Sequence, residues 1–212
     1  VVFNINYRLV PDVTVNQQLQ DVARALRWIR DHGSQYPCDM RNIMLTGDSA
    51  GGQLAAYSAV LMQSAQLRKT FDTVDPQMEL TALLLTSPVA FMRDGGLFSL
   101  YTKPMWGTDY KDKATYPYMD FDQIIDYAQA LPPTYLITSS GDTLANKQTH
   151  RLYEVLQAHG VQAEIKDYAK AEYNQSLPHV FSVLQPFEPA GTAAIDKALA
   201  FYQQAMTAKA AQ

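Results

Sequence analysis

Residues 42–56 read Asn42-Ile43-Met44-Leu45-Thr46-Gly47-Asp48-Ser49-Ala50-Gly51-Gly52-Gln53-Leu54-Ala55-Ala56, and the order of their properties decides the fold. The first five residues form a short apolar strand, a glycine-flanked serine follows at once, and Leu54, Ala55, Ala56 and Leu61 continue as a helix. Gly47 and Gly51 let strand turn sharply into helix without a Cβ clash. A serine hydroxyl is a weak nucleophile; it needs exposure on such a turn, a general base, and donors for the oxyanion that forms on attack. Ser49 is therefore the candidate nucleophile, and the Ala50 N–H, at the start of the helix, is the candidate oxyanion donor. The plainer use of the same residues is a glycine-rich turn with a capping serine. Asp48 points away from Ser49 on so tight an elbow and takes a structural role.

On either side of this elbow, strands and helices alternate. Residues 1–6 are β-branched and aromatic-rich and read as a strand running into the Pro11 loop. From Asn16 as N-cap, Leu19, Val22, Ala23, Leu26 and Ile29 recur at helical spacing up to Gly33. Residues 80–86, 134–138 and 161–168 read as further strands, and residues 144–159 as a helix stopped by Gly160. Ile195, Leu199, Tyr202 and Met206 stripe a last helix, beyond which the Ala/Lys/Gln tail is expected to fray. The alternation predicts an α/β fold, a mostly parallel sheet with helices on both faces, in one domain over residues 1–212. Residues 89–131 carry no strand signal and many aromatics, and read as a lid-like insertion. Its Phe98, Tyr101, Trp106 and Tyr110 are candidates for lining a substrate pocket, although an aromatic cluster serves more often as plain core.

Composition narrows the function. A chain of 212 residues, 47% hydrophobic, can bury a sizeable core, and 17 Lys+Arg against 21 Asp+Glu leave no basic footprint for nucleic acid. The single Cys38 permits no internal disulfide and no cysteine metal cage; it reads as a buried structural thiol and fits a reducing, cytoplasmic compartment. No apolar run approaches the roughly 20 residues of a membrane span, and residues 1–7 lack the basic start and cleavage site of a signal peptide.

Where a serine sits on such an elbow, an acid and then a base follow it in the chain, each in a loop after a later strand. Asp142 lies directly after the strand at 134–138, where it could equally cap the following helix. His179, in Leu177-Pro178-His179-Val180-Phe181, lies between the strand at 161–168 and the last helix. His32, His150 and His159 fall on or at the ends of helices and suit solvated faces or helix dipoles. Ser49, His179 and Asp142 would together perform acyl transfer with no metal and no organic cofactor.

Taken together, Gly47 to Gly52 as Gly-Asp-Ser-Ala-Gly-Gly, Tyr7-Arg8-Leu9-Val10-Pro11, Leu131-Pro132-Pro133-Thr134 and Gly160-Val161 resemble the hormone-sensitive-lipase-like branch of the α/β-hydrolases, along nearly the whole chain. The resemblance implies an α/β-hydrolase fold with Ser49, Asp142 and His179 as triad. It implies a serine carboxylesterase acting on short- to medium-chain carboxylic esters as small-molecule substrates. Amide- or peptide-cleaving relatives, and a catalytically silent binding protein on the same fold, are the alternatives. Homodimers in that branch often pair through the sheet edge near the last strand. The sequence departs from the branch at Asp142-Thr143-Leu144, usually Asp-Pro-Leu, and at Val180-Phe181, usually Gly-Phe. The branch's His-Gly-Gly-Gly oxyanion motif, expected upstream of Tyr7, is not in the chain, so the fold is expected to be N-terminally incomplete and one oxyanion donor short.

Overall fold

A computed structural model describes residues 1–93 and 97–211. In chain order the elements are α1 (Val15–His32), β1 (Met44–Asp48), α2 (Ser49–Leu61), α3 (Ala65–Phe71), β2 (Ala82–Thr86), α4 (Leu97–Trp106), β3 (Thr134–Ser139), α5 (Asn146–Ala158), β4 (Ala163–Tyr168), α6 (Lys170–Tyr173), α7 (Phe181–Leu184) and α8 (Pro189–Ala210). Short 3-10 turns connect them at Gly33–Gln35, Tyr110–Asp112, Tyr116–Tyr118, Phe121–Gln123 and Ile125–Tyr127. The chain divides into two compact units: one of Val1–Arg41, Tyr57–Glu79 and Phe91–Ala130, the other of Asn42–Ala56, Leu80–Ala90 and Leu131–Gln212.

The second unit holds a four-stranded, all-parallel sheet in the order β1-β2-β3-β4. Register aligns Asp48 with Thr86, Thr86 with Ile137 and Ser139 with Tyr168, so the four strands end along one edge. All six residues of β3 are buried, as a central strand covered on both faces requires. Tyr135, Ile137, Tyr168 and Phe181 pack with Ala190, Ala194, Ala198, Phe201 and Ala205 of α8.

That packing corrects the expected face of the last helix. Ala194, Ala198, Phe201 and Ala205 are buried, whereas Ile195 and Leu199 are 38% and 47% exposed. The inward stripe runs one residue ahead of the one the large side chains suggest, because alanines let the helix axis come close to the sheet. The helix also continues through Ala210 rather than fraying after Met206. Ala194→Leu is expected to destabilise the fold by about 1–3 kcal/mol through overpacking. Ile195→Ala should cost under about 1 kcal/mol, and chemical denaturation of the two variants measures the difference.

In the first unit, α1 is capped by Thr14, whose backbone N–H donates to Gln17 Oε1 at 2.9 Å; the cap lies two residues ahead of the expected Asn16. Its buried face is the predicted one, Leu19, Val22, Ala23, Leu26 and Ile29. Residues 1–9 form no strand, contrary to expectation. Their composition supplies β-propensity but not a pairing partner, and a strand needs both. Arg8 is tied to α1 instead: its guanidinium forks onto Asp21 at 2.8 and 2.9 Å, and Gln18 Nε2 donates to its carbonyl at 2.8 Å. Cys38 is half-buried rather than buried, its thiol 3.2 Å from the Gly33 carbonyl.

The 89–131 region carries α4, the 3-10 turns and an antiparallel bridge between Phe91 and Asp120. Tyr57, fully buried, is the hub of the first unit: its ring contacts Phe71, Trp106 and Phe121 with centroids 6.1–6.5 Å away, and its hydroxyl donates to the Tyr118 carbonyl at 3.1 Å. Asp120 accepts from the Met92 and Arg93 N–H groups at 2.7 and 3.0 Å, and Gln63 makes a two-way amide pair with Ala130. Backbone-directed bonds of this kind hold a segment that has no ladder of its own.

Candidate active site

β1 ends at Asp48 and α2 begins at Ser49 with no residue between them. Ser49 sits at φ +50°, a left-handed conformation costing a non-glycine residue about 1–3 kcal/mol, which persists only where surroundings fix it. They do so here. A Cβ on Gly47 would collide with the Gly51 carbonyl, and one on Gly52 would stand 2.9 Å from the Pro88 side chain, so the glycines are needed for close approach. Val89 N–H donates to the Ser49 carbonyl at 3.2 Å. The turn leaves Ser49 half-buried at the carboxyl edge of the sheet, at the N-terminus of α2. Ala50 N–H belongs to the first helical turn, which has no carbonyl partner within the helix, and the helix dipole adds positive potential there.

His179 and Asp142 reach Ser49 from the ends of β4 and β3. His179 Nε2 lies 2.9 Å from Ser49 Oγ, and His179 Nδ1 lies 2.9 Å from Asp142 Oδ2. An ionised carboxylate can only accept, so Nδ1 carries the hydrogen and Nε2 is left to accept from the serine hydroxyl. The two uses of Asp142 open in the sequence are both present, one on each oxygen: Oδ1 accepts from the Leu144 and Ala145 N–H groups at 3.0 and 2.9 Å. The Asp142 side chain has no exposure. Burial works against its ionisation, but the hydrogen bonds from His179 and Ala145, with a smaller contribution from Ser87 and the attraction of His179, outweigh it and hold the carboxyl below the ordinary range. Ser87 Oγ is buried and outside hydrogen-bond geometry.

Asp142→Asn is expected to lower kcat by about 10⁴-fold, because an amide at Oδ2 no longer selects the required tautomer. It has a second signature in stability. The folded carboxyl titrates below its unfolded value of about 3.9, so its contribution is complete above that pH and is lost as pH falls through the folded value. Denaturation midpoints of Asp142→Asn against pH should lack that acid-side slope.

The other histidines are elsewhere. His150 Nε2 lies 2.9 Å from Asp167 Oδ2, and His32 and His159 bond through Nδ1 to the carbonyls of Trp28 and Val155. Of the candidate pocket residues, Trp106 is 2% exposed in the aromatic core around Tyr57, Tyr101 is half exposed on α4, and Tyr110 meets Tyr116 at a tilt, centroids 5.7 Å apart. The side chain of Phe98 lies outside the described residues. Trp106 is thus core, as large aromatics in an irregular segment usually are. His179 is followed by Val180 at φ +51°, in the left-handed region where a β-branched residue is a rarity. Sequence reasoning passed over Ser139, whose hydroxyl donates to the Leu177 carbonyl at 2.6 Å; its only sequence signal is a polar residue closing a buried strand. No cluster of metal-ligating side chains is present among the described residues, nor any helix long and apolar enough to cross a membrane.

Comparison with known proteins agrees with this architecture. The profile of the alpha/beta hydrolase fold family matches residues 1–176. The chain is 27% identical over 201 residues, 92% of its length, to the probable carboxylic ester hydrolase LipM of Mycobacterium tuberculosis, and 25% identical over 182 residues, 79% of its length, to the acetyl esterase of Salmonella choleraesuis. It spans about half of each, 46% and 53%. Among solved structures, esterase B from Lactobacillus rhamnosis superposes with a TM-score of 0.88 at 29% identity, over 97% of this chain and 66% of that one. A parallel sheet with a serine elbow at its carboxyl edge, matched by the family profile over most of its length, places the chain in the alpha/beta hydrolase fold family.

Proposed function

We propose that the chain carries the catalytic machinery of a serine carboxylesterase, with Ser49 as nucleophile, His179 as general base and acid, and Asp142 as the group that orients the imidazole. The observation that carries this reading is the unbroken relay from Ser49 Oγ to His179 to Asp142 at 2.9 Å per step, on a left-handed elbow at the carboxyl edge of the sheet. The similarity to carboxylic ester hydrolases supports the ester as substrate class. His179 Nε2 takes the hydroxyl proton as Oγ attacks the ester carbonyl, and Asp142 stabilises the imidazolium without itself taking the proton. Ala50 N–H faces the developing oxyanion, where a preorganised donor is worth about 10²–10³ in kcat. His179 then returns the proton to the departing alcohol, and water, activated the same way, releases the acid.

The substrates are small esters of short to medium acyl chains, and no cofactor enters the cycle. Hydrolysis of p-nitrophenyl acetate and butyrate by the chain and by Ser49→Ala tests the reading. Turnover that Ser49→Ala removes is the expected result; equal rates in both would sink it.

A further inference from the structure

We infer that Ser139 is a positioning residue that sets His179 against Ser49 and Asp142 by tying the loop of the acid to the loop of the base. The inference rests on the esterase reading above and adds a residue to it. Ser139 ends β3 and is fully buried. Its carbonyl accepts from Asp142 N–H at 3.0 Å and from Asn146 Nδ2 at 2.9 Å, which fixes the acid loop. Its hydroxyl donates to the carbonyl of Leu177, two residues before His179, at 2.6 Å.

Besides this bond, the base loop is held by the packing of Leu177 and Tyr173 on the core and by the Lys166–Glu172 ion pair at 2.9 Å. Between the end of β4 at Tyr168 and the start of α7 at Phe181, it contains one four-residue helical turn, Lys170–Tyr173, and no strand. Leu177 is 2% exposed, and a Cβ on Gly141 would stand 2.7 Å from its carbonyl oxygen. The two loops therefore meet backbone to backbone, with the Ser139 hydroxyl as the donor between them. On the near side, Ser140 N–H donates to the Tyr168 carbonyl at 3.2 Å, closing the loop's root. Losing the hydroxyl leaves the Leu177 carbonyl buried without this donor, and the loop it belongs to is the one that carries the base. A small displacement of a catalytic group can cost about 10²-fold in rate.

A merely structural role is separated by a control on the same strand. Thr134 opens β3, is fully buried, and donates its hydroxyl to the Pro132 carbonyl at 2.9 Å, at the end of the strand away from the site. The experiment compares the parent chain with Ser139→Ala, Thr134→Val, Gly141→Ala and Ser49→Ala. It follows covalent labelling of Ser49 by a fluorophosphonate and the downfield proton NMR signal of the His179–Asp142 hydrogen bond.

Ser139→Ala is expected to label about 10- to 100-fold more slowly than the parent and to lose or broaden the downfield signal. Thr134→Val should keep both at comparable loss of melting temperature. Gly141→Ala, which crowds the Leu177 carbonyl with the hydroxyl intact, should reproduce the slow labelling and covers the case of an unfolded Ser139→Ala. Labelling of Ser139→Ala, or of Gly141→Ala where the former does not fold, as fast as Thr134→Val would overturn the inference. If the parent itself is not labelled at Ser49, the esterase reading fails. The NMR signal then decides for Ser139 alone, its retention in Ser139→Ala overturning the inference.

Discussion

Replacing Ser49 by Ala should lower kcat for p-nitrophenyl butyrate by about 10⁶-fold relative to the parent chain in the same assay. The size follows from what is removed. Without Oγ there is no covalent intermediate, and the base 2.9 Å away has nothing to deprotonate except stray water. The fold should survive and even gain, since Ala at φ +50° is no worse placed than Ser and no polar atom is left unpaired apart from Nε2, which a water can reach on a side chain 23% exposed. The measurement is initial rate against an unchanged denaturation midpoint. A residual rate within tenfold of the parent would show that another group does the chemistry, since tenfold is only about 1.4 kcal/mol of barrier.

His179→Ala should match that loss, about 10⁶-fold, and the double variant with Ser49→Ala should lose no more than either single one, because the two act as one unit. The variants part company in two other respects. Added imidazole should restore part of the rate in His179→Ala and none in Ser49→Ala. The second difference is in stability: His179 is the leading favourable partner of a carboxyl group that has no exposure, and without it less opposes the burial that works against ionisation. The stability that ionised Asp142 adds in the parent is then reduced, so His179→Ala should be weakened at neutral pH and recover relative to the parent as pH falls through the parent's folded value. Denaturation midpoints at neutral and mildly acidic pH measure this. A flat difference between the two would show that Asp142 does not depend on His179 for its charge.

The elbow was legible because glycine placement is a backbone statement: Gly47, read with Gly51 as flanking the serine, has no room for a Cβ against the Gly51 backbone, and a further close approach, to Pro88, falls at Gly52. Asp142 and His179 could be placed by order and loop, since parallel strands bring their carboxyl ends to one edge whatever lies between. Three features escaped for physical reasons. The face of α8 is made by alanines, whose small size is what admits close packing, while hydropathy ranks the larger Ile195 and Leu199 above them. Residues 1–6 have the composition of a strand, but pairing depends on what stands beside them and not on their own side chains. The brace from Ser139 to Leu177 joins residues 38 apart through a carbonyl, and carbonyls leave no mark on a sequence.

Val180 gives the base an unequal footing with the rest of the site. A left-handed backbone at a β-branched residue stores strain of about 1–2 kcal/mol, next to the histidine on which the chemistry depends and in a loop with no strand ladder. That energy is released when the loop opens, so amides of residues 179–184 should exchange with solvent deuterium well before those of β3, whose six residues are all buried. On gentle heating the chain is then expected to lose turnover while its sheet is still intact, and to regain it on cooling. The weak point in its heat tolerance would be the hinge under one imidazole, with the core still standing.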